Sequence, residues 1–219
     1  PIKSSAASDV YKRQSFTMYG GAITGNEDYG GVFLVGTTNH IDPPSFTMHG
    51  GTISDNTAGA SDGGGGGVYV GEKCSFTMDG GTITGNTATK GNGGGIYGEQ
   101  RSTIDLRTGA LYNNHAGTAG DDIYLNNTTL ILRPVGDDWI LDDCGHPIDG
   151  WYLDGKDARW DADSQKKFVT NLDALLEGTD YMIEKGEDGC YIITIGSNAL
   201  ALKACLLYTS DAADDLIGV

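Results

Sequence analysis

The sequence is poor in proline, in positive charge and in long apolar runs. Among 219 residues there are 5 prolines, and 14 Lys and Arg stand against 30 Asp and Glu, for a net charge of −16. Scarce proline and the lack of a Gly-X-Y period exclude collagen. Scarce positive charge excludes the basic footprint that nucleic acids require. No apolar run reaches 18 residues, so no membrane-spanning helix is expected. The histidines His40, His49, His115 and His146 are scattered, and the four cysteines contain no CxxC pair. That spacing gives no zinc site, and neither metal nor cofactor is expected. Ca²⁺ is the weak exception, since the acidic pairs Asp121-Asp122 and Asp137-Asp138 offer oxygen ligands. The abundant residues are glycine, with 35, and tyrosine, with 11. So much tyrosine does not suit a solvated tail, and so much glycine does not suit helices.

The glycines fall in a repeat. Ser15-Phe16-Thr17-Met18 returns at Ser45–Met48 and again at Ser75–Met78, 30 residues apart each time. A second block follows in each unit: Gly20-Gly21-Ala22-Ile23-Thr24-Gly25-Asn26, then Gly50–Asn56, then Gly80–Asn86. A third block, preceded by glycines, is Val32-Phe33-Leu34, Val68-Tyr69-Val70 and Ile96-Tyr97. A degenerate fourth unit holds Ile104-Asp105-Leu106, Leu111–Asn114 and Ile123-Tyr124-Leu125, and Thr129–Leu132 opens a fifth.

Each block alternates apolar and polar residues between turn formers, which predicts three short strands per unit. Like residues at like positions predict a coiled parallel sheet with rungs about 4.8 Å apart. The fold class expected is all-β, a right-handed parallel β-helix of about four to five rungs over 15–132, with a small α+β cap over 133–204. Four interior columns follow: Phe16/Phe46/Phe76/Ile104, Met18/Met48/Met78/Leu106, Ile23/Ile53/Ile83/Leu111 and Val32/Val68/Ile96/Ile123. Asn26, Asn56, Asn86 and Asn114 align at one corner and predict a structural ladder, because asparagine tolerates the left-handed region and bonds along a stack. Gly63–Gly67 is not a phosphate loop, since no Lys-Ser/Thr and no helix follows it.

The unit FTMxGGTIxxNTA…GGGxY resembles the parallel β-helix repeats of large bacterial adhesin-like surface proteins. GGAI at Gly20–Ile23 is also similar in style to the polymorphic outer-membrane protein repeat, although the companion FxxN motif is missing. The resemblance implies a secreted or cell-surface protein whose solenoid is a stalk and a binding surface for a glycan or an extracellular protein. Alternation points Phe33, Tyr69, Tyr97 and Tyr124 outward as an aromatic column. Tyr19, His49, Asp79 and Arg107 vary beside the first strand. These eight are the candidate ligand-binding residues, and stacking that merely stabilises the sheet is the competing reading.

Composition shifts after Arg133-Pro134, where glycine thins and Trp139, Trp151 and Trp160 appear. Phe168, Leu172, Leu175 and Leu176 predict an amphipathic helix over Gln165–Glu177, between Ser164 as N-cap and Gly178. Tyr181–Glu184 and Tyr191–Ile195 predict a hairpin. Cys144 and Cys190 are either a disulfide or free thiols. Asp142-Asp143 and Gly145-His146 resemble, in compressed form, the motifs of polygalacturonases, with Pro147 where a second glycine is expected and no upstream Asn-Thr-Asp. A pectin lyase-like or polygalacturonase-like enzyme is therefore the alternative function, and a purely structural spacer is the third. No catalytic residue is assigned.

The ends read differently again. Ser4–Gln14 (SSAASDVYKRQ) and Cys205–Asp215 (CLLYTSDAADD) resemble the translated adapter of a transposase-based sequencing library. The first can be written in codons whose reverse complement encodes the second. Residues 1–14 and 205–219 are accordingly expected to be adapter-derived, and the rest to be a piece of a longer bacterial protein.

Overall fold

A strand of three or four residues makes too few hydrogen bonds to persist alone, so each segment needs the next repeat as its partner. The computed structural model describes residues 15–36, 43–59, 64–142, 144–155, 180–186 and 188–205. These are all-β, with no helix among them, and form a parallel β-solenoid of about four turns. The first turn is β1 (Ser15–Met18), β2 (Ala22–Thr24) and β3 (Val32–Leu34). The second is β4 (Ser45–Met48), β5 (Thr52–Ser54), β6 (Thr57–Ala58) and β7 (Val68–Val70). In the third, β8 (Ser75–Thr84) runs through two of these positions and is followed by β9 (Thr87–Ala88) and β10 (Ile96–Gly98). The fourth repeats that plan with β11 (Thr103–Tyr112), β12 (His115–Ala116) and β13 (Ile123–Leu125).

Register follows the repeat. Phe16 pairs with Phe46, Phe46 with Phe76 and Phe76 with Ile104. Ile23 pairs with Ile53, and Val32 with Val68. All four expected interior columns are present, and their middle members, such as Met48, Ile53, Phe76 and Ile96, are fully buried. Burying each such side chain favours folding by about 1.5–3 kcal/mol, and no rung can achieve it without its neighbours.

The corners explain the glycines. Gly81 has φ +86°, and a Cβ there would lie 2.5 Å from Met48 Cε. At Gly67 a Cβ would meet Gly95 O at 2.6 Å and the Asn86 amide nitrogen at 3.1 Å. Glycine is thus what lets one rung settle on the next beside the asparagine corner.

Beyond the fourth turn the chain reverses. β14 (Thr129–Leu132) and β15 (Trp139–Ile140) still lie parallel on β11. Next come β16 (Gly150–Leu153), β17 (Tyr181–Lys185), β18 (Tyr191–Ile195) and β19 (Leu200–Cys205). β17 and β18 form the expected hairpin, and β18 lies antiparallel on β14. β19 lies antiparallel between β13 and β16. Both large sheets thus finish at this end in antiparallel strands, with β17 and β16 outermost, and Trp139 and Trp151 meet edge to face beneath them with ring centroids 5.6 Å apart. The helix expected over Gln165–Glu177 lies outside the described residues, as does Trp160. Among the described residues no helix is long and apolar enough to cross a membrane.

Candidate functional site

The asparagine corner is a directed chain of hydrogen bonds. Asn26 donates through its backbone N–H (3.1 Å) and its amide Nδ2 (2.8 Å) to Asn56 Oδ1. Asn56 donates in the same two ways to Asn86 Oδ1, and Asn86 to Asn114 Oδ1. Asn56 and Asn86 are fully buried, and the amides of Asn56, Asn86 and Asn114 also reach main-chain carbonyls, Ile23, Ile53 and Ile83 in turn. The ladder is as expected, but its backbone basis is not. The left-handed residue is the one before each later asparagine: Asp55 (φ 55°), Gly85 (φ 66°) and Asn113 (φ 53°). Gly25 (φ 66°) precedes the first. Only glycine and short polar residues enter that region cheaply, which accounts for the types found there.

A second corner column went unread in the sequence. Lys73, Arg101 and Asn127 all have positive φ, and the buried residues after them are Cys74, Ser102 and Thr128. The three side chains share small volume rather than chemistry, so no motif announces them. Burial pushes the Cys74 thiol up to about 11.

The ladder ends on a carboxylate. Asn114 finds no fifth asparagine and donates instead to Asp122 Oδ1, at 2.9 Å from its amide. Asp122 Oδ2 accepts the Ala204 N–H of β19 at 2.8 Å. Burial pushes the Asp122 carboxyl up to about 7, against the hydrogen bonds from Asn114 and Ala204 and the charge of Lys203. Next to it, Asp121 accepts from Ala116 N and pairs with Lys203 Nζ at 3.0 Å, while Asp154 accepts from Asp121 N. Burial works against the Lys203 ammonium, but the carboxylates of Asp121, Asp122 and Asp154 outweigh it and raise its pKa. The Asp121-Asp122 pair is therefore tied into the closure. Among the described residues no group of three His, Cys, Asp or Glu is placed to hold a metal ion.

Seven of the eight candidate binding residues fall into two separate columns. Phe33, Tyr69, Tyr97 and Tyr124 stack along β3, β7, β10 and β13, with centroids 4.4, 5.2 and 5.6 Å apart. Phe33 is 41% exposed and the three tyrosines are half-buried. Tyr69 donates its hydroxyl to Glu99 Oε2 at 2.9 Å, and burial together with Glu99 raises its pKa strongly. The other column flanks β1, β4 and β8: Tyr19 stacks on His49 at 5.1 Å, and His49 Nδ1 lies 3.2 Å from Asp79 Oδ2. Arg107 does not extend it, contrary to expectation. The register slips locally so that Thr108 pairs with Asp79, and the Arg107 guanidinium turns onto Asp105 of its own strand at 2.9 Å.

A shallow cleft of about 500 Å³ opens beside β8 and β11, lined by Thr82, Thr108, Tyr112, Asp137, Asp138 and Asp142 among others. It holds part of the polygalacturonase-like stretch, while Asp143 lies outside the described residues. Asp142 accepts from His146 and from the N–H groups of Cys144 and His146, which hold its carboxyl below the usual range. Cys74, Cys144 and Cys190 are free thiols, so the disulfide alternative for Cys144 and Cys190 is not the one adopted. Compared with family models, curated proteins and solved structures, the chain matches none of them.

Proposed function

We propose that the protein is the β-helical part of a secreted or cell-surface bacterial adhesin-like protein, serving as a stalk that binds a glycan or an extracellular protein along its side. The observation that carries this reading is the run of Phe33, Tyr69, Tyr97 and Tyr124, one aromatic edge per rung with no break. An extended polymer lying along the axis meets the same contact at every rung. Individually weak contacts then multiply, because each bound rung raises the local concentration of ligand at the next. Aromatic edges suit this use, having apolar faces and, in tyrosine, a polar rim. The Tyr19–His49–Asp79 column offers a second, more polar strip on another face.

The test is binding of the whole chain to arrays of soluble glycans and matrix proteins. Tyr97→Ala and Tyr124→Ala together are expected to weaken binding at least tenfold, and a Tyr19→Ala variant much less. Binding that survives the double change removes the column from the reading. Absence of any ligand leaves a spacer, and release of products from polygalacturonate favours the enzyme alternative.

A further inference from the structure

The two ends of the solenoid differ in a way the binding face does not explain. At the first rung Phe16 is 45% exposed, whereas Phe46 and Phe76 in the same column are 1% and 0% exposed. Tyr19, Tyr29, Phe33 and Val35 of this rung are exposed too. β1 and β3 end their sheets and β2 has a partner only in β5, so one edge of each is unpaired among the described strands. The polar groups repeat the pattern. Asn56, Asn86 and Asn114 each accept two hydrogen bonds at Oδ1 from the rung before, while among the described residues nothing donates to Asn26 Oδ1.

The molecule itself shows what covers such a face. The first-strand and second-strand surface of rung two, built from the same SFTM and Gly-Gly-x-Ile sequence, is covered by rung one in parallel register. We propose that the open face is a docking surface for one more parallel rung of this same repeat, with Phe-x-Met over Phe16 and Met18 and an asparagine donating twice to Asn26. A second copy of the chain does not supply a parallel rung from its far end, where β16 to β19 pair antiparallel. The Asp122 carboxylate that ends the ladder there has, when ionised, no hydrogen to give. This inference is independent of what the aromatic column binds.

The experiment inserts a copy of residues 45–74 between Gln14 and Ser15 of the full chain. Amide hydrogen exchange over residues 15–34 is expected to slow at least tenfold. A second insert, carrying Phe46→Asp and Asn56→Ala within the inserted copy only, leaves exchange in that stretch unchanged. Equal exchange from both inserts overturns the proposal. So does a concentration-dependent dimer of the unmodified chain that already protects the same amides, since a second copy would then be the occupant.

Discussion

The repeat and the closure that follows it solve the same problem by opposite means. In the repeat, register sets like on like along much of each column: Phe on Phe at 5.0 Å, Asn on Asn, Tyr on Tyr. After Arg133 no repeat sets the register, and like residues such as Ile183 and Ile193 meet singly. The closure depends on single pairings across long stretches of chain, such as Lys203 with Asp121 and Ala204 with Asp122, both 82 residues apart. A repeated contact is encoded once and used several times. A closing contact has to be encoded separately, and its loss has no neighbour to compensate it.

Four measurements break or sharpen this contrast. The largest effects come from aromatic truncation on either side of it. Phe76→Ala and Trp151→Ala each are expected to lower stability by about 3–5 kcal/mol in denaturant titrations. Their spread should differ. Loss of Phe76 should raise hydrogen exchange in both adjoining rungs, and loss of Trp151 mainly in β16 and β19. An equal spread would deny that the two regions are built differently.

Next in size is the ladder. Asn86→Ala strands the Asn56 donors and costs on the order of 3 kcal/mol, since each buried polar group left unpaired costs roughly 1–3 kcal/mol. Asn26→Ala, at the open end, removes one donor to Asn56, the side-chain amide, and strands nothing before it, so it should cost less than half as much. Equal costs would mean that the ladder has no direction.

Third is the pH dependence set by Asp122. Its folded pKa, about 7, lies above the ordinary 3.8, so the folded state holds the proton more tightly than the unfolded chain. Between about pH 4 and pH 7 the folded state therefore binds more protons, and stability falls as pH rises through that window. Above pH 7 the cost of the buried charge is fully present. The midpoint of thermal unfolding should rise on acidification from pH 8 to pH 5, and Asp122→Asn should flatten that slope. Acidification also relieves the repulsion of a chain at net −16, so the variant's slope is the informative one.

The smallest effect is at Glu99. Glu99→Gln should cost about 1 kcal/mol and let the Tyr69 phenol ionise at lower pH, seen by ultraviolet titration. Burial alone would keep it above an ordinary tyrosine.

How far these features could be read from sequence follows the same division. Phe16, Phe46 and Phe76, with Met18, Met48 and Met78, fixed the first strand position of every rung because identical residues recur at constant spacing. Asn26 to Asn114 gave the ladder for the same reason. Arg107 was misplaced because position in a repeat says nothing of a local bulge, nor of the Asp105 carboxylate two residues away that draws the guanidinium aside. Asp122 as the end of the ladder had no signal at all: its partners, Asn114 and Ala204, belong to the repeat and to the far side of the closure.

The antiparallel strand β19 carries a further consequence, in mechanics. A force drawn through the first rung would peel β1 from β4 one bond at a time, because that strand is held along a single edge. Drawn through β19, the same force acts along a strand gripped on both sides, by β13 and by β16, and loads those bonds together in shear. The fold is a rope that frays from one end and is knotted at the other.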